Sequence, residues 1–140
     1  IVVGSTSESL RFYRDSLGLT VAGESENYGT EQEHLDNVFG AKLHITGLRT
    51  REDGVAVEFL EYLAPRDGRD FPRDTRSSDL WHWQTSFLTE QPDDLALLLR
   101  RNRFDFISSG VVSFRQSLTS FRKGFLVRDT DGHAVRLLEK

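Results

Sequence analysis

The chain contains no cysteine. That excludes disulfides, thiolate metal sites and a cysteine nucleophile, and it is compatible with a reducing cytoplasm. Basic runs are also lacking: 18 Lys and Arg stand against 22 Asp and Glu, a formal net charge of −4. Neither nucleic acid nor a membrane surface is therefore expected as a partner. No apolar stretch approaches the ~20 residues of a membrane span, and no signal-peptide pattern is found. These absences together lead to an expected cytoplasmic location. The opening at Ile1, inside an apolar run, leads us to expect further residues upstream. A length of 140 residues fits one domain or two small fused modules, and a chain of this size buries roughly two thirds of its unfolded surface.

What is present is most informative at the C-terminal end. From Gly124 to Glu139, apolar residues alternate with others on both sides of Asp131-Gly132, which reads as two short strands joined by a tight turn. Asp53-Gly54 is a shorter echo, opening a strand from Val55 to Leu63 with Glu58 near its centre. An ionisable group inside an apolar strand needs a partner or a use, because burying it unpaired costs roughly several kcal/mol. Glu58 and Arg136 are the two residues of this kind.

Element signals recur in the same order along the chain. Ile1 to Val3 reads as the tail of a strand, and Ser5 to Ser9 supply cap residues for a helix with Leu10, Phe12, Tyr13 and Leu17 on its apolar face, ended by Gly18. Strands are expected near 19–24, 42–49 and 55–63, with a short helical piece near 33–39. The segment rich in Pro, Gly, Asp and Arg from Ala64 reads as a linker. A second pass follows, with a strand near 80–88, a helix over 92–101 carrying Leu95, Leu98 and Leu99 on one face, and strands near 104–107, 123–128 and 133–139. We therefore expect a first βαβββ module over 1–63, a linker over 64–79 and a second βαβββ module over 80–140, fused as one domain. Such a repeat implies two similar α+β units that pair their sheets.

Four segments carry a family resemblance: Ser9-Leu10-Arg11-Phe12-Tyr13-Arg14-Asp15-Ser16-Leu17-Gly18-Leu19, Val57-Glu58-Phe59-Leu60, Trp81-His82-Trp83-Gln84 and Asp129-Thr130-Asp131-Gly132-His133. Through them nearly the whole chain resembles the vicinal oxygen chelate superfamily, the group of glyoxalase I, methylmalonyl-CoA epimerase, extradiol dioxygenases and bleomycin-resistance proteins. The resemblance implies an α+β fold, two βαβββ modules rolled into a cup-shaped mixed sheet. It also implies a homodimer, and a divalent metal (Zn, Ni, Co, Mn or Fe) on four cup-facing strand positions. The first position would fall a few residues before Ile1. The second matches Glu58 and the third His82. The fourth, a Glu in such proteins, falls on Arg136.

Arg136 is the departure that matters. A guanidinium has no lone pair to donate to a metal. Facing a shared hollow it could pair bidentately with Glu58, or it could bind a ligand's carboxylate or phosphate. His82 alternates with Gln84 and Ser86, and reads either as a hydrogen-bonded structural residue or as a metal ligand or general base. His44 alternates with Lys42 and Thr46 and either lines the pocket or belongs to a solvated face. Tyr62 shares the strand parity of Glu58 and either closes the mouth of the cup or sits on its rim. Trp81 and Trp83 are expected to pack beneath helices and His133 to lie at the surface, while Arg14, Asp15, Arg73, Asp74 and Arg76 read as solvated charge or linker contacts.

The expectation is thus a superfamily protein that binds a small organic molecule in a cup-shaped pocket, metal-independent or weakly metal-binding. Ligand contacts are expected from Arg136, Gln84, Tyr62 and His44. The alternative is a lyase or isomerase of glyoxalase or epimerase type, in which Glu58 and His82 hold a metal and move a proton next to a carbonyl. Arg136 argues against it. Extradiol cleavage is weaker still, because its iron wants a carboxylate where Arg136 stands.

Overall fold

A computed structural model describes residues 1–51, 54–115 and 117–140. Asp53 of the Asp53-Gly54 turn lies outside the described residues. The chain divides into two compact units, Ile1–Asp70 and Phe71–Lys140.

The first unit runs β1 (Val2–Val3), α1 (Thr6–Tyr13), β2 (Thr20–Tyr28), α2 (Thr30–Asp36), β3 (Lys42–Arg49) and β4 (Val57–Ala64). Its sheet has the order β1-β4-β3-β2, with β1 parallel to β4 and the other pairs antiparallel. Ser5 caps α1 with an extended backbone, its hydroxyl accepting from the Glu8 amide, and Gly18 takes a φ of 78° where the chain turns back toward β2. On the face toward the sheet, Phe12 and Tyr13 are fully buried, and Tyr13 meets Phe59 of β4 edge to face at 5.2 Å. Each such ring contributes about 1.5–3 kcal/mol through the area it removes from water. Leu10 and Leu17, expected on the same stripe, are only half-buried. The helix expected near 33–39 forms earlier, over Thr30–Asp36, and ends at Asn37 in the left-handed conformation. Asn tolerates that φ better than other side-chain-bearing residues. Before it, β2 extends to Tyr28, further than the 19–24 expected, because its ladder with β3 continues to Lys42.

The second unit runs β5 (Gln84–Leu88), α3 (Pro92–Arg101), β6 (Val112–Ser113), β7 (Lys123–Arg128) and β8 (Ala134–Glu139). Its sheet order, β5-β8-β7-β6 with β5 parallel to β8, repeats that of the first unit strand for strand. Pro92 stands in the first turn of α3, followed by Asp93 and Asp94, the residue types that suit a helix N-terminus. The helix buries Ala96 and Leu99, whereas Leu98 is 40% exposed. The stripe toward the sheet therefore runs through 92, 96 and 99. The strand expected near 104–107 is reduced to a single bridge, Phe106 to Val127, and Val112–Ser113 takes the edge of the sheet. Gly124 is required by crowding: a Cβ there would lie 2.8 Å from the Leu137 carbonyl oxygen and 2.7 Å from Leu138 Cδ2. No helix among the described residues is long and apolar enough to cross a membrane.

Candidate functional site

Strand register decides which face each candidate occupies. In the first unit, Gly47 stands opposite Glu58, and Thr46 opposite Phe59. Phe59 and Val57 are buried toward α1, so the intervening Glu58 points to the other face, where it is exposed. His44 stands opposite Glu61 and therefore shares the face of Phe59. The fold thus separates His44 from Glu58. The His44 Nε2 lies 3.7 Å from Glu24 Oε1 on the neighbouring strand. Tyr62 lies beyond a register irregularity between Lys42 and Leu43, and its hydroxyl hydrogen-bonds the Asp36 carboxylate at the end of α2. Burial first, then that carboxylate, raise the Tyr62 phenol above its usual value.

A carboxylate that sequence reasoning passed over, Glu61, organises the α1 face. Its Oε2 accepts from the Thr6 amide at 2.9 Å, satisfying one of the free N–H groups at the helix start. Burial alone would raise its pKa; the bond from the Thr6 amide and the Arg66 guanidinium, 3.6 Å from Oε1, hold it below the usual carboxylate value. Its only signal in the sequence is three-residue spacing from Glu58, which puts it on the opposite side of β4.

In the second unit, Arg136 of β8 stands opposite Ser86 of β5, and its Nε donates to the Ser86 hydroxyl at 3.0 Å. Gln84, two residues before Ser86 on β5, shares this face and is exposed. Arg136 itself is half-buried in a row between Ala134 and Leu138, which are 2% and 3% exposed. His82 lies before β5 rather than on it. Its amide donates to the Asp79 carbonyl at 3.0 Å within a turn whose Arg76 amide donates to Asp79 Oδ2 at 2.7 Å. The expected strand start at Leu80 gives way to this turn, because Asp79 satisfies local amides that a ladder would otherwise need.

Of the stretch 64–79 expected to link the modules, residues from Phe71 onward belong to the second unit. They are pinned to the β7–β8 hairpin. Arg128 donates to the Gly132 carbonyl at 2.7 Å and to the Thr75 carbonyl at 3.3 Å, and Trp81 Nε1 donates to Thr75 Oγ1 at 3.1 Å. His133 is buried rather than at the surface. Its ring lies between Phe71 and Trp83, with centroids 4.9 and 4.8 Å away. Trp81 and Trp83 thus serve this hairpin and are 54% and 37% exposed, instead of packing beneath a helix.

Asp129, Asp131 and His133 bring three ligand atoms within 4.8 Å of one another, a group that could hold a metal ion. The Asp129 carboxylate is already engaged: Oδ1 accepts from the amides of Asp131 and His133, and Oδ2 meets His133 Nδ1 at 2.9 Å.

The model of the Glyoxalase/Bleomycin resistance protein/Dioxygenase superfamily matches residues 1–137. The chain belongs to that superfamily. Its α+β fold is that of solved members. A glyoxalase family protein of Bacillus cereus superposes with a TM-score of 0.85 at 21% identity, over 99% of this chain and 89% of that one. The genomically encoded fosfomycin resistance protein of Listeria monocytogenes, solved with Mn(II) and sulfate, gives 0.59 at 11% identity over 100% and 87%. Leishmania major glyoxalase I, described as trypanothione-dependent, gives 0.59 at 16% over 99% and 81%. No curated protein sequence matches. Identities this low carry the fold and not the reaction.

Of the four metal positions that the resemblance implies, three fall on residues of this sequence, Glu58, His82 and Arg136. Arg136, which the resemblance aligns with the fourth position, is hydrogen-bonded to Ser86, and a guanidinium has no lone pair to give a metal.

Proposed function

We propose that this chain binds a small organic molecule on the sheet face of the second unit that carries Arg136, without a metal at the superfamily's ligand positions. The observation that supports the reading is Arg136. A guanidinium held by Ser86 in an otherwise apolar row keeps donors for an incoming carboxylate or phosphate. Gln84 on the same face adds a neutral hydrogen-bonding group. The reading includes a cytoplasmic homodimer. The lyase or isomerase alternative needs a metal, to which Arg136 has no lone pair to give.

Isothermal titration of the purified protein and an Arg136→Glu variant with Zn(II) and Mn(II) tests this reading. The parent is expected to bind neither ion at the superfamily position, and the variant to gain at least tenfold in affinity, lost again in Arg136→Glu/His82→Ala. Stoichiometric metal in the parent, lost on replacing His82, would overturn it.

A further inference from the structure

In the second unit, the sheet face that carries Arg136 holds cations without acids. By strand alternation its residues are those that share the parity of Arg136 along β8, with the residues standing in their rows across β5, β7 and β6. Among them are Arg128 and Arg136, and no Asp or Glu. Arg128 gives its guanidinium to the carbonyls of Gly132 and Thr75. Arg136 differs: its Nε donates to the Ser86 hydroxyl, but neither Nη makes a hydrogen bond or ion pair with a described residue. A half-buried guanidinium with no acid on its face gives that face a preference for anions. The surface beside it is apolar. Leu126 stands opposite Arg136 on β7, and in the next row Leu138 stands opposite Gly124. A Cβ at Gly124 would lie 2.7 Å from Leu138 Cδ2 and 3.1 Å from Phe114 Cε2, so the missing side chain lets those two close over the strand. Phe114 still keeps 37% of its surface exposed. Charge thus lies at one end of this strip and an aromatic ring at the other, two strand spacings or ~10 Å apart.

We infer that this face takes a monocarboxylate with a flat apolar body, such as an aromatic acid. The carboxylate meets the two Nη donors of Arg136, and the body lies over Leu126 and Leu138 toward Phe114. Carboxylate rather than phosphate follows from the count of free donors: one guanidinium edge balances one negative charge. The second charge of a phosphate monoester would rest unpaired beside apolar side chains, where its desolvation is costly. A planar body follows from the length of the strip and from the ring at its far end, which pairs with other aromatic rings by face or edge. Ser86 is a positioning residue, because its bond to Nε holds the guanidinium while both Nη groups stay free. The inference deepens the small-molecule reading above by naming the ligand class, and it rests on that reading.

The test is a ¹H–¹⁵N NMR titration of the whole chain with naphthoate, and with acetate, naphthol and naphthyl phosphate as the charge alone, the body alone and the other anion. Naphthoate should shift the Gly124, Leu126 and Arg136 amides saturably. Acetate and naphthol should each bind at least tenfold more weakly, and naphthyl phosphate at least threefold more weakly. Arg136→Gln should weaken naphthoate at least tenfold, and Phe114→Ala at least threefold. If Arg136→Gln does not fold, Arg136→Lys carries the test: it keeps the charge, loses the fork, and should weaken naphthoate at least threefold. Absence of saturable shifts, shifts centred away from this face, or shifts that follow protein concentration and not naphthoate, as for a second copy seated there, would overturn the inference. Naphthyl phosphate as tight as naphthoate, or acetate within threefold of it, with binding lost in Arg136→Gln, would overturn the ligand class and leave the Arg136 pocket standing.

Discussion

Asp129 Oδ2 lies 2.9 Å from Nδ1 of His133, four residues on, and both side chains are withdrawn from water at 0% and 7% exposure. The other oxygen of the same carboxylate takes two amides of the turn. One side chain thus replaces the ladder partners that the hairpin loses at Gly132, where φ is 99°. Replacing Asp129 by Ala would leave the buried His133 amide and ring nitrogen without partners. The expected loss is about 2–4 kcal/mol, read as a lower urea midpoint at an unchanged m-value. A midpoint within experimental error of the parent would show that water takes over these bonds.

Gly124 and Gly47 give opposite expectations for the same substitution. Alanine at 124 pushes a methyl group against the Leu137 backbone, which cannot rotate away. A cost of about 1–3 kcal/mol is expected from overpacking. Alanine at 47 meets ordinary contact only and should leave thermal stability level or slightly higher. Differential scanning calorimetry of the two variants checks the pair, and equal melting temperatures would contradict it.

What the sequence makes legible is set by periodicity and punctuation. Lys42–Arg49 and Pro92–Arg101 form where expected, because one is apolar-rich with β-branched residues and the other has Pro and two acids at its start. The Asp131-Gly132 turn is readable for the same kind of reason. Register is not local, however. Whether His44 shares a face with Glu58 depends on which residue of β4 stands opposite it, and no spacing within β3 reveals that. Segment 71–83 resists reading too. Its structure comes from side chains satisfying backbone groups, Thr75 and Asp79 among them, and from packing on His133 some 50 residues away in the chain. The apolar look of Leu80 to Trp83 suggests a strand that turn chemistry overrides.

Glu61 predicts an acid-side loss of stability. Its pKa in the folded chain is lowered from 4.5 despite the opposing effect of burial. A depressed folded pKa means that its contribution is complete above the unfolded value and disappears as pH falls through the folded one. Stability measured in urea between pH 6 and 3 should therefore fall less steeply for Glu61→Gln than for the parent. Parallel curves would show that the Thr6 cap does not depend on the carboxylate's charge.

Metal removal distinguishes a resident ion from a self-contained turn at Asp129, Asp131 and His133. An ion held at a hundred times its Kd would stabilise the fold by about 2.7 kcal/mol, so its loss would lower the melting temperature of a chain this size by roughly 5 °C or more. Both Asp129 oxygens are already bonded to groups of the turn, and an ion would have to compete with the His133 amide as well as with its ring. Dialysis against EDTA is therefore expected to shift the melting temperature by less than about 1 °C at this site. A drop of several degrees, reversed by Zn(II) or Mn(II) in the parent and not in Asp131→Asn, would assign the ion to the hairpin.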